Sequence, residues 1–133
     1  MNFINLTPHD INVYDVSQFI NLVNVKDNIW TADGVEGKSL LTIPEIGISA
    51  RINTVTKQIN SIDGIPMYST QYGDINDLPD DIRGSDILIC SLPTVINANA
   101  SGHPLAKQMC SPFQVVRLST NTSTVLGCTG FTF

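Results

Sequence analysis

Charge is scarce in this chain of 133 residues: Asp, Glu, Lys and Arg make up 14 %, where about a quarter is usual. The bases are the rarer sign, 7 against 12 acids, for a formal charge of −5. A general nucleic-acid binder displaces counterions with a basic surface, so that class is excluded. One small phosphate-bearing ligand is not. Alanine is rare too, 5 residues against 38 Ile, Val and Thr, which favours pleated, β-branched packing over helix. No apolar run approaches the roughly 20 residues that span a bilayer, and the opening MNFINLTPHD has no basic leader before an apolar stretch. No membrane partner and no secretory route are therefore expected. Three widely spaced cysteines, Cys90, Cys110 and Cys128, make neither a disulfide framework nor a zinc site; reduced, buried thiols are expected. There is no P-loop, dinucleotide fingerprint, HExxH or GxSxG.

With 42 % hydrophobic residues, the chain is expected to be ordered. Its length suits one domain, 1–133. Phe3 to Tyr14 reads as a strand, a break at Thr7-Pro8-His9-Asp10, and a second short strand from Ile11. Phe19 to Val25 fits a short helix or a strand, and Trp30 to Gly34 a loop. Leu40 to Ile43 is a strand stopped by Pro44. Isoleucines 46, 48 and 52 alternate as on a strand face, with Arg51 on the other side. Gln58 to Ile62 is a strand closed by a hairpin turn at Asp63-Gly64, and Pro66 to Tyr72 is extended. Asp86 to Ser91 is the most apolar run and reads as a central strand. Residues 97–104 have loop chemistry. Pro112 to Leu118 and Val125 to Phe131 are the last strands. The expected fold is mainly β, a small single-domain barrel or sandwich with one or two short helices.

The candidate site residues each carry an alternative. Thr7 and His9 sit in the first break, where His9 serves either as a loop residue bonded to backbone or as part of a ligand pocket. A metal at His9 and Asp10 matches no known ligand spacing; no metal and no cofactor is expected. Ser91 ends the apolar strand, but nothing beside it in sequence supplies a general base; a hydrogen-bonded strand terminus is the plainer reading, and no catalytic residue is assigned. Arg51 and Arg117 interrupt apolar strand patterns. A guanidinium there needs a partner, either an acid in an ion pair or a bound phosphate or carboxylate, which its fork suits. Tyr72, like Tyr68 and Trp30, either stacks on a nucleobase or packs at a rim. The aspartates from Asp74 to Asp86 crowd a loop region without the Gly and terminal Glu of an EF-hand.

Asn5-Leu6-Thr7-Pro8-His9, followed by Ile11-Asn12-Val13, resembles the opening of a widespread family of small phage and prophage proteins. The order continues with Pro44 to Ile52 as an "ARV"-like strand, Tyr72-Gly73 with Leu78-Pro79, and Leu88-Ile89-Cys90-Ser91 as an "IVS"-like strand. The chain departs from the family at Gly102-His103-Pro104 and Gln108, where the family carries Arg and Asp. The resemblance implies a phage origin and the host cytoplasm. Small, β-rich, oligomeric phage proteins include sponges that hold cyclic nucleotides made by bacterial immune systems. The leading expectation is thus a homo-oligomer that sequesters such a nucleotide without cleaving it, with Thr7, His9, Arg51, Tyr72, Ser91 and Arg117 around the ligand. The alternative is a phage structural, assembly or protein-interaction module.

Overall fold

The computed structural model describes residues 2–27 and 29–133. The first half holds β1 (Phe3–Asn5), β2 (Ile11–Val13), β3 (Phe19–Ile20), β4 (Val23–Lys26), β5 (Ile29–Ala32), β6 (Gly34–Val35) and β7 (Leu41–Ile43). Then come the long β8 (Arg51–Ile62) and β9 (Ile65–Asn76), β10 (Ile87–Ile89) and the helix α1 (Leu92–Ser101). The remaining strands are β11 (Met109–Phe113), β12 (Val116–Leu118), β13 (Asn121–Gly127) and β14 (Gly130–Thr132). The protein is mainly β, as its Ile, Val and Thr content requires, with one α-helix. Its strands form several small sheets, and no closed barrel forms among the described residues. No helix among them is long and apolar enough to cross a membrane.

The central sheet runs β1-β10-β11-β14. The first three strands are parallel, and β14 lies antiparallel to β11. The apolar run at β10 reflects burial on both faces, as a covered parallel strand requires. Leu88 and Cys90 join Val95 and Ala98 of α1 and Met109 of β11 in one core. Ile89, pointing the other way, joins Ile11 of β2, Ile43 of β7, Cys110 and Cys128 in a second. The sheet is therefore a middle layer between α1 and the β2–β7 pair. A second sheet, β13-β12-β5-β4, encloses a smaller core of Phe19, Ala32 and Val116.

Four sequence expectations are corrected. Pro112 to Leu118 is not one strand: β11 ends at Phe113 and β12 starts at Val116 in the second sheet, the chain turning at Gln114, whose φ is 53°. Residues 97–104 are not simply loop: α1 runs to Ser101 and ends on Gly102, whose φ of 68° is the left-handed conformation of a helix stop. Pro93 opens the helix, and Thr94, Val95 and Ala98 bury one face on the sheet; this packing outweighs the weak helix propensity of Asn97 and Asn99. Trp30 to Gly34 is not a loop, because Trp30, Thr31 and Ala32 pair with Val116, Arg117 and Leu118. The alternating isoleucines do not form a strand before Arg51. Gly47 turns the backbone to a φ of 79°, and Ile46 and Ile48 are exposed.

The strands β8 and β9 form a ribbon of their own. Twelve residues at about 3.3 Å each span about 40 Å. Only its base joins the body: Ile52 and Ile75 pack on the core beneath α1, and Asn97 Nδ2 donates to the Gly73 carbonyl at 3.4 Å.

Candidate functional site

The carboxyl ends of β1, β10 and β11 open onto one groove of about 620 Å³. Parallel strands deliver the loops that follow them to the same edge of a sheet, the usual location of ligand crevices in open sheets with crossover helices. Here β1 supplies Thr7 and His9, β10 supplies Ser91 with Leu92 of α1, and β11 supplies Ser111 and Pro112. The second sheet forms the opposite wall with Trp30, Arg117 and Ser123.

Asn5 holds the first of these loops. Its side chain is fully buried and bonded on both ends. Its amide nitrogen donates to the carbonyls of His9, at 2.7 Å, and Ile43, at 3.1 Å. Its oxygen accepts from the Thr7 N–H at 3.0 Å, with the Thr7 hydroxyl 2.6 Å away. This is an Asx-type turn, locked at its far end by Pro8. The His9 ring is left on the exposed side, lining the groove. Asp10 lines the groove beside it, its carboxylate held by the Glu45 N–H, from which it accepts at 2.9 Å.

Ser91 stands at the N-cap of α1 but makes no side-chain cap bond. Its hydroxyl meets that of Thr94 at 2.9 Å. The positive end of the helix, with first-turn N–H groups that the helix cannot satisfy, therefore lies at the groove. Pro93 removes one of those donors and presets the backbone for the rest.

Arg117 projects from β12, half-buried, between Thr31 of β5 and Val125 of β13. Its Nη1 donates to the Thr122 carbonyl at 3.1 Å. Among the described residues it forms no ion pair, so the acid partner that sequence reasoning weighed is not there. One backbone carbonyl orients the guanidinium and leaves most of its donors free for an anion. Nearer β3 and β6, both oxygens of the Asp33 carboxylate are occupied, accepting from Ser119 and Asn21 at 2.5 and 2.8 Å. Those bonds, that of Ser119 first, hold it below the usual carboxylate range.

The structure brings together four of the six expected ligand residues, Thr7, His9, Ser91 and Arg117, and separates the other two. Arg51, exposed at the start of β8, lines a different hollow of about 390 Å³ with Asp77 and Ser49. Tyr72 stands on the ribbon, 63 % exposed. Strand pattern alone does not say that Arg51 leaves the body with the ribbon while Arg117 stays in it. Of the residues outside the expected set, Asn5 anchors a groove loop, and Trp30 and Ser111 line the groove itself. Asn5 had a signal, an amide within an apolar strand two residues before Thr7. Trp30 was an aromatic candidate hidden by the loop reading. Ser111, 2 % exposed, had none.

Cys128 closes the groove floor, and burial raises its thiol above the ordinary range. Among the described residues no three His, Cys, Asp or Glu side chains converge as metal ligands. Comparison with family models, with curated proteins and with solved structures found no match.

Proposed function

We propose that this chain is a phage-encoded binding protein that captures a cyclic-nucleotide-type signal in the groove between the two sheets and holds it intact. The observation that carries the reading is the convergence of Thr7, His9, Ser91 and Arg117 with Trp30 on a single groove of about 620 Å³. That volume lies within the range of about 300–1,000 Å³ that suits small ligands. The chemistry divides as a nucleotide does. Arg117 and the positive end of α1 suit phosphate, Trp30 offers a ring for a base, and the hydroxyls of Thr7, Ser91 and Ser123 suit sugar and base edges. The Ser91 hydroxyl is bonded to Thr94 rather than to a histidine, which favours capture over nucleophilic chemistry.

The test is a thermal-shift panel of cyclic dinucleotides, cyclic trinucleotides and ADP-ribose derivatives. A ligand at about a thousandfold its Kd adds about 4 kcal/mol of stability, and a hit is followed by heating the complex and chromatography. Stoichiometric capture with full recovery of unmodified ligand supports sequestration. Conversion of excess ligand would make the protein an enzyme, and a flat panel would remove the nucleotide reading. The second reading, an assembly or protein-interaction module, is favoured by one separate feature, the exposed β8–β9 ribbon.

A further inference from the structure

A two-stranded ribbon is marginal in water unless something covers it. Beyond its base, β8–β9 leaves Val55, Ile59, Ile62, Ile65, Tyr68 and Tyr72 between 53 % and 67 % exposed. It also has two free edges, since neither strand pairs with any other among the described residues.

The two edges differ. The Asp63-Gly64 turn has φ values of 52° and 77°, the geometry of a two-residue type I′ turn, and closes on the pair Ile62 and Ile65. Such a pair exchanges both backbone bonds, and the following residues turn their N–H and C=O groups alternately out and in. Counted from Ile65, the residues of β9 that direct these groups away from β8 include Tyr68, Thr70 and Tyr72. Pro66, with no N–H, bounds this edge on one side. The register shift opposite Asn53, at Gly73 and Asp74, bounds it on the other. Between them β9 carries no charged side chain, whereas β8 carries Lys57 midway, the type of residue that guards an edge against pairing.

The free segment reads Tyr68-Ser69-Thr70-Gln71-Tyr72, with its two tyrosines placed symmetrically about Thr70. An antiparallel partner of the same sequence, related by a two-fold axis through Thr70, sets each Tyr68 opposite a Tyr72 and Thr70 opposite Thr70. Both are favourable cross-strand pairs on one face. The outward backbone groups of all three residues then meet their complements. Symmetric, self-complementary contact is the hallmark of a two-fold dimer.

We propose that two copies of this chain associate through the outer edge of β9, antiparallel about Thr70, to make a four-stranded β8-β9-β9-β8 sheet. The contact lies apart from the groove, so self-association and ligand capture stand or fall independently.

Two matched variants of the full chain test it. Thr70→Pro removes an outward N–H from the β9 edge; Thr56→Pro, opposite Thr70 in the ribbon, does the same on the β8 edge. By light scattering at tens of micromolar the unaltered chain is expected to have the mass of a dimer. Thr70→Pro is expected to raise the dimer dissociation constant at least tenfold, and Thr56→Pro to leave it within about threefold. Mild oxidation of Thr70→Cys is expected to link two copies, because Cα atoms about 5.5 Å apart across a bonded pair lie within disulfide reach. Thr56→Cys is expected not to cross-link. A monomeric unaltered chain, a Thr70→Pro dimer of undiminished affinity, or cross-linking only at position 56 would overturn the proposal. Should Thr70→Pro lose its circular-dichroism signature, the cysteine pair still decides the matter.

Discussion

The buried amide of Asn5 donates to the carbonyl of His9 across 2.7 Å, so a side chain without solvent contact sets where an exposed ring stands. The same amide reaches the end of β7 through Ile43. The first groove loop is thereby fixed to the layer beneath it, and the groove wall is positioned by the core.

Replacing Asn5 with alanine is therefore expected to cost stability first. The Ile43 carbonyl and the Thr7 N–H lose the amide, the His9 carbonyl keeps only the Thr7 hydroxyl at 3.1 Å, and a buried group left unsatisfied costs about 1–3 kcal/mol. The expected loss is about 2–4 kcal/mol in urea denaturation, measured against unaltered protein with the same m-value. A loss below about 1 kcal/mol would mean that water replaces the amide freely.

The arginines separate. Arg117→Ala is expected to weaken nucleotide binding by roughly ten- to over a hundredfold, the cost of about 1.5–3 kcal/mol for a charge-assisted contact. Arg51→Ala is expected to leave affinity unchanged, because Arg51 lines the other hollow. Titration calorimetry on both folded variants reads the difference. Equal losses would refute the groove as the phosphate site.

Gly127 is required by a close crossing. A β-carbon there would lie 2.7 Å from the Asn12 carbonyl oxygen and 2.7 Å from the Tyr14 ring. Both belong to residues whose backbone Cys128 bonds, donating to the Asn12 carbonyl and accepting from the Tyr14 N–H. Gly127→Ala is expected to destabilise by about 1–3 kcal/mol, as overpacking does, with a lower melting temperature. A variant as stable as the parent would show that β2 can move away from β13.

The thiols set an alkaline limit. Burial pushes Cys90 up to about 12, aided by Cys110 beside it, and Cys110 up to about 11. In the unfolded chain these groups ionise near 9. Above that pH the unfolded state releases protons that the native state keeps, so stability is full below about pH 9 and falls as pH rises toward 12. Denaturation midpoints across that range are expected to decline. The three cysteines are expected to resist an aromatic disulfide reagent at pH 8 until the protein is unfolded. Rapid labelling of native protein would contradict their burial.

Much of the fold is legible along the chain because local pattern and tertiary demand agree there. The break at Thr7-Pro8 follows from proline, the apolar strand at Leu88 to Cys90 from burial on both faces, and the ribbon turn from Asp63-Gly64. Where they disagree, the sequence misleads. The Asn-rich α1 becomes helical only because Val95 and Ala98 find the sheet. Trp30 joins a strand only because β12, far along the chain, lies beside it. The groove was half legible for the same reason. Thr7, His9 and Ser91 follow strands recognised from sequence, and Arg117 lies within one. Which of two strand-borne arginines shares their groove depends on the path of the chain between them.

The order of β1, β10 and β11 also governs how the protein can be made. Phe3 pairs with Ile87, and Leu88 with Met109, while the Phe3 ring lies 5.6 Å from that of Phe131 on β14. During synthesis β1 is translated long before any of these neighbours exists. Contacts so distant in sequence form slowly. The groove that depends on this sheet thus waits on the closure of loops far longer than any within the ribbon, whose partners are adjacent in the chain.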